Sequence, residues 1–194
     1  MSVSDAIEAV KNISSDLAVL PESEEYDAII KSYFSELERE LKPACFLTPN
    51  SASQVAEIVK AIKPFASHSN IAICGSGQQA TPAVANVRDG LTIHLRNLRG
   101  VEIDVEKNVV SVAAGEQMGK VYETVMAAGL GAVGNRHSSG GIGGDAVQGE
   151  SRYYVMNRSH SDAFQADYRT SLMLGVSFAT TLSTTRLSSL TERS

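Results

Sequence analysis

Two glycine-bearing loops hold the residues best suited to chemistry in this chain of 194 amino acids. The first is Cys74-Gly75-Ser76-Gly77-Gln78-Gln79. The second runs Gly134-Asn135-Arg136-His137-Ser138-Ser139-Gly140-Gly141-Ile142-Gly143-Gly144. Glycine admits positive φ and lets a ligand approach the backbone with no Cβ in the way. Successive N–H groups in such a loop form a concavity for an anion, and a pyrophosphate suits it. The same composition also suits a plain connector. Neither loop is a standard dinucleotide fingerprint. After Gly75-Ser76-Gly77 the third-glycine position is Ala80, and Thr81-Pro82 follows where a helix should open. No Gly-Lys-Ser/Thr run occurs, which removes the P-loop. His137 is a possible acid/base near neutral pH, but no orienting carboxylate is evident near it in the sequence. That absence favours reading it as a loop histidine beside Arg136, and Arg136 reads as either a phosphate contact or a solvated side chain. His68 and His94 read as surface or sheet residues.

The elements around these loops follow from periodicity. Val3, Ile7, Val10, Ile13 and Leu17 predict a helix over residues 3–20, and Ile30, Phe34, Leu37 and Leu41 a second over 27–41, stopped by Pro43. Neither helix carries chemistry of its own. Residues 44–48 predict a strand. Ser53 predicts the cap of a helix over 54–66, and Ile71-Ala72-Ile73-Cys74 a buried strand running into the first loop. Strands follow at 91–95, 101–105 and 109–113, the last two joined by a hairpin turn at Glu106-Lys107-Asn108. A helix over 118–128 closes at Gly129. Residues 129–149 hold eight of the fifteen glycines, which argues against any regular element there. This order predicts an α+β fold.

Composition bounds the rest. A hydrophobic fraction of 43% and a charged fraction of 20% are those of a globular domain. A net charge of −5 without a Lys/Arg cluster argues against nucleic acid as a partner. Cys45 and Cys74 are too few for a disulfide framework or a metal-thiolate site. No secretory signal and no run of about 20 apolar residues occurs, so the expectation is a cytoplasmic protein with no membrane partner.

Several motifs occur in a fixed order: Leu47-Thr48-Pro49, Ser53-Gln54-Val55, the Ile71–Gln79 run, Asp89-Gly90-Leu91-Thr92-Ile93, Val109-Val110-Ser111-Val112-Ala113-Ala114-Gly115, Val121-Tyr122 and Gly140-Gly141-Ile142-Gly143-Gly144. Over about 105 residues this order resembles the PCMH-type FAD domain of the vanillyl-alcohol-oxidase superfamily, in its berberine-bridge-enzyme-like fungal branch. The resemblance implies a FAD-linked oxidoreductase of fungal secondary metabolism acting on a small organic substrate. It assigns Gly75, Ser76, Gly77, Gln78 and Gln79 to the FAD pyrophosphate. Ser139, Gly140, Ile142, Gly143 and Gly144 fall along the ribityl chain and isoalloxazine, with Gly115 near the flavin. Many members carry a flavin-linking His where Gln78 stands, and bicovalent members a Cys near His137, so the cofactor expected here is non-covalent FAD. Loss of those bonds implies a weaker oxidant. Cys74 stands where a basic residue is usual, which removes one positive partner of the pyrophosphate.

The resemblance divides the chain into an N-terminal helical segment (1–42), a FAD-binding domain (43–149) and a tail (150–194). Ser/Thr-rich composition alone reads the tail as disordered. The genetic code permits a sharper reading. Gly149-Glu150-Ser151 is compatible with an intron donor and Gln165 with an acceptor. The codons of 166–192, read in another frame, permit the continuation such domains normally have. The tail is therefore expected to be a retained intron followed by a frameshifted exon, an expectation that transcripts never spliced at those sites would contradict. Such a chain is a truncated form without a complete substrate domain. That leaves open a non-redox, cyclase-like use of the fold and an inert fragment, and no catalytic residue is assigned.

Overall fold

A computed structural model describes residues 2–106, 109–132, 134–148 and 171–175. They fall into two compact units, Met1–Leu98 and Arg99–Ser194. The division lies inside the 43–149 segment, after the first glycine loop and before the second.

The first unit opens with α1 (Val3–Lys11), started by a reciprocal capping box between Ser2 and Asp5. The helix predicted to run to residue 20 stops at Lys11. Asn12, Ser14 and Ser15 are residues whose side chains compete for backbone hydrogen bonds. Beyond them Ala18–Val19 leaves the helix to form β1, paired antiparallel with β2 (Cys45–Leu47). The second predicted helix is likewise split. α2 (Glu24–Ser32) is capped by Ser23 and carries Glu24, Glu25 and Asp27 in its first turn, and α3 is Glu36–Arg39. Tyr33 is extended (φ −66°, ψ 142°), which buries its ring and lets its hydroxyl donate to the Ala85 carbonyl at 3.0 Å. Helix α4 (Ala52–Ile62) is capped by Ser51, two residues before the expected Ser53, because Ser51 Oγ accepts the Gln54 N–H. α4 leads to β3 (Ile71–Cys74), and β4 is Leu91–His94. The sheet order is β1-β2-β4-β3, with β2 and β3 both parallel to the wholly buried β4.

A polar clip ties the leading helices to this sheet. Asn86 is fully buried and uses every hydrogen-bonding position: Nδ2 donates to the Glu38 and Leu41 carbonyls, and Oδ1 accepts from the Val87 N–H and Thr92 Oγ1. The buried carboxylate of Glu38 accepts from the Val84 and Ala85 N–H groups through Oε1.

In the second unit β5 (Val101–Asp104) and β6 (Val109–Val112) form the expected antiparallel pair; Lys107 and Asn108 of the turn lie outside the described residues. Helix α5 (Met118–Ala127) packs Met118, Val121 and Val125 against Val110, Val112 and Ile142, and Gly129 follows it at φ +71°. The glycine-rich stretch after it is more regular than expected: β7 is Gly131–Ala132 and α6 is Ile142–Gln148. Tertiary packing overrides the poor helix propensity of glycine, because a Cβ on Gly143 would lie 2.7 Å from the Ala114 carbonyl oxygen. Of residues 150–194, only β8 (Ser171–Gly175) is described, and it pairs parallel with β6 and β7; the rest of the tail assignment lies outside the described residues. Among the described residues no helix is long and apolar enough to cross a membrane.

Glu116 braces the turn into α5. Its Oε1 accepts from Arg99 Nη1 at 2.8 Å and from the Gln117 N–H at 3.1 Å, and Oε2 accepts from the Gly100 N–H at 3.2 Å. Burial pushes its carboxyl upward, but the Gln117, Arg99 and Gly100 hydrogen bonds together outweigh this and hold it below its ordinary value.

Two outcomes follow. Asn86→Ala removes the partner of four groups, two buried and two partly buried, and should destabilise the chain by about 2–4 kcal/mol in urea unfolding; an unchanged midpoint would show that water replaces the clip. Because the folded state holds the Glu116 carboxyl below its unfolded value, its contribution is present above the ordinary carboxyl range and is lost as pH falls through the folded value. The stability gap between the wild type and Glu116→Gln should therefore be larger at neutral pH than at about pH 3. A gap of the same size at both would contradict this account.

Candidate cofactor-binding loops

The first loop leaves β3 at Cys74, whose thiol is buried and pushed up to about 11 by desolvation. That keeps it protonated at neutral pH, so it is neither a nucleophile nor a metal ligand as it stands. Three successive carbonyls of the loop are turned onto donors of the same unit. The Gly75 oxygen faces Cys74 Sγ at 3.6 Å, the Ser76 oxygen accepts from Arg96 Nη2, and the Gly77 oxygen accepts the Phe34 N–H at 2.9 Å. The N–H groups of Ser76, Gly77, Gln78 and Gln79 have no acceptor among the described residues. Yet Ser76 is only 5% exposed and Gly77 is buried. A buried N–H group without a partner costs free energy, so the Ser76 and Gly77 N–H groups, with those of the half-buried Gln78 and Gln79 beside them, suit a ligand with several acceptor oxygens.

Gly77 is the position that requires glycine. Its φ is +67°, and a Cβ there would stand 3.1 Å from the Tyr33 ring, 3.3 Å from Arg96 Nη2 and 3.4 Å from Cys74 Sγ. Gln78 is half-buried, and its side-chain amide makes no hydrogen bond to a described residue. The Gln79 side chain turns back to accept the Ala80 N–H at 3.0 Å.

The second loop is held differently, by pairing with the chain around Gly115. The Ile142 N–H donates to the Glu116 carbonyl at 3.1 Å, and the Met118 N–H to the Gly140 carbonyl at 2.9 Å. The Gly119 N–H donates to the Ser138 carbonyl at 2.8 Å, and Gln117 and Gly141 form an antiparallel bridge. Gly115, Gly140, Ile142 and Gly143 are thus brought together, while Ser139 and Gly144 lie exposed beside them. Asn135 organises the approach to this loop. Its Nδ2 donates to Asp145 Oδ2 at 3.0 Å, its Oδ1 accepts the His137 N–H at 3.1 Å, and its carbonyl accepts from the Tyr122 hydroxyl. His137 is exposed, and its Nε2 accepts from Arg136 Nε at 3.1 Å. No carboxylate of a described residue orients it, which favours the loop-histidine reading and occupies one Arg136 donor. His94 is a buried sheet residue whose ring meets the edge of Phe46 at a centroid distance of 6.0 Å; His68 is exposed.

Sequence reasoning missed Ser32, Phe34 and Arg96. The second predicted helix ran unbroken through Phe34, which hid the break that frees the Phe34 N–H for the loop. Arg96 lies just past the strand predicted over 91–95, and nothing local marks it as a partner of Ser76.

Residues 43–166 match the model of the FAD binding domain family. The curated FAD-dependent monooxygenase sdcF of Emericella nidulans is 27% identical over 135 residues, covering 70% of this chain and 28% of that protein. FAD-dependent monooxygenase FUP4 of Fusarium proliferatum is 28% identical over 116 residues, covering 58% of this chain and 21% of that protein. This chain thus spans between a fifth and a third of the length of these relatives. Among solved structures, BBE-like 1 of Physcomitrella patens superimposes with a TM-score of 0.58 at 18% identity, over 75% of this chain and 30% of that one. The chain belongs to the FAD binding domain family and has part of the PCMH-type fold of berberine-bridge-enzyme-like flavoproteins.

Proposed function

We propose that this chain is the cofactor-binding part of a FAD-linked oxidoreductase that acts on a small organic substrate and holds its FAD without a covalent bond. The observation that carries this reading is the row of N–H groups at Ser76, Gly77, Gln78 and Gln79 with no acceptor among the described residues, on a loop whose Gly75, Ser76 and Gly77 carbonyls are committed elsewhere. A diphosphate supplies the acceptor oxygens such a row lacks. Gly75, Ser76, Gly77, Gln78 and Gln79 are accordingly assigned to the pyrophosphate. Gly115, Ser139, Gly140, Ile142, Gly143 and Gly144 are assigned to the ribityl and ring portion, where pairing between the second loop and residues 116–119 fixes the backbone. When bound, FAD supplies a two-electron acceptor, and the residues assigned here bind and orient it. Gln78 has no imidazole to bond to the flavin, and Cys74 is buried and protonated, which supports non-covalent attachment. The relatives' names favour redox chemistry over a cyclase-like use of the fold.

Purified chain, supplied with FAD and desalted, should be yellow, and acid precipitation should leave the flavin in the supernatant. Gly77→Ala should retain markedly less flavin, since it strains a positive-φ position and crowds the loop. A folded wild-type chain that takes up no FAD would refute the cofactor reading, and flavin that stays with the acid pellet would refute non-covalent attachment.

A further inference from the structure

We propose that Arg96 is the positioning residue that turns the first glycine loop into a diphosphate receptor. The proposal rests on the FAD reading above and adds to it a residue outside the loop. One guanidinium nitrogen, Nη2, has two hydrogens and uses them on two carbonyls: Ser32 at 3.0 Å and Ser76. Ser32 is the last residue of α2, where a helix leaves carbonyls without partners and presents its negative end. The first hydrogen therefore anchors Arg96 to a rigid element, and the second reaches the loop.

The consequence for the loop follows from peptide geometry. The carbonyl of Ser76 and the N–H of Gly77 share one planar trans peptide and point in opposite directions. Holding the Ser76 oxygen on Arg96 therefore aims the Gly77 N–H away from the guanidinium side. The Phe34 N–H does the same for the next peptide by holding the Gly77 oxygen, which frees the Gln78 N–H. Cys74 Sγ does it weakly for the preceding one, at 3.6 Å from the Gly75 oxygen. Of the three holds only Arg96 is charged, and it is half-buried, so its field at the loop is less screened than that of a surface residue. It places a cation beside a loop whose flanking residue is the neutral Cys74. A purely structural Arg96, capping α2 and nothing more, would affect melting but not the affinity for an anion.

The test uses the full chain as wild type, Arg96→Lys and Arg96→Met. FAD is titrated by quenching of flavin fluorescence at low and high salt, beside thermal melting of each protein. Arg96→Met should bind FAD about tenfold or more weakly and show a flatter salt dependence, because it loses both the hold and the charge. Arg96→Lys keeps the charge without the planar fork and should recover part of the affinity. Wild-type affinity and salt dependence in folded Arg96→Met would overturn the proposal. If Arg96→Met does not fold, Arg96→Lys decides at a temperature where it is folded: weakened FAD binding supports the proposal, and wild-type binding overturns it. A folded wild type that binds no FAD overturns the cofactor reading itself, an outcome distinct from a wild type that binds FAD and an Arg96→Met that binds equally well.

Discussion

The first glycine loop depends on where its carbonyls go. A run of peptides that offers its N–H groups to a ligand turns the oxygens on the same planes to the other side, where protein donors can hold them. Here the engagement comes from three directions: the Arg96 guanidinium after β4, the Phe34 N–H at the break between α2 and α3, and the Cys74 thiol at the end of β3. The architecture of the first unit serves this arrangement. Tyr33 must leave the helix for Phe34 to reach Gly77, and it does so because its ring is buried and its hydroxyl is satisfied by Ala85. Ala85 and its neighbour Val84 are held in turn by Glu38, and Asn86 ties that segment to α3 and β4. A substitution at Tyr33, beside the loop, or at Asn86, outside it, therefore bears on it through contacts that can be named.

The second loop shows a different economy of hydrogen bonds. Its backbone is largely spent on pairing with residues 116–119, and Gly143 rests on the Ala114 carbonyl with no room for a side chain. Fixed in this way it offers shape more than free donors. Glu116 contributes from two sides: its carbonyl receives Ile142 and its carboxylate gathers Arg99, Gly100 and Gln117.

Much of this was legible in the sequence. The strand Ile71–Cys74 and the helix ending before Gly129 stood where periodicity and glycine put them, because both are local signals with one strong competitor-free pattern. The ordered motifs named the family that residues 43–166 match. What failed was long-range. Ala18 and Val19 fall inside the helix predicted over 3–20 but pair as a strand with Leu47 and Phe46, and the helix predicted through Phe34 is broken where Tyr33 turns extended and buried. Gly143 and Gly144 sit in α6, and at 143 the Ala114 carbonyl leaves no room for a Cβ. Arg96 was invisible for the same reason, since its partners Ser32 and Ser76 lie far from it in sequence and close only in the fold.

Calorimetric titration of the wild-type chain with FAD, riboflavin and ADP asks whether the first loop recognises a diphosphate and not merely a flavin ring. FAD should bind far more tightly than riboflavin, and ADP, which carries the diphosphate without the flavin, should compete with FAD. Equal affinity for riboflavin and FAD, with no competition from ADP, would contradict it.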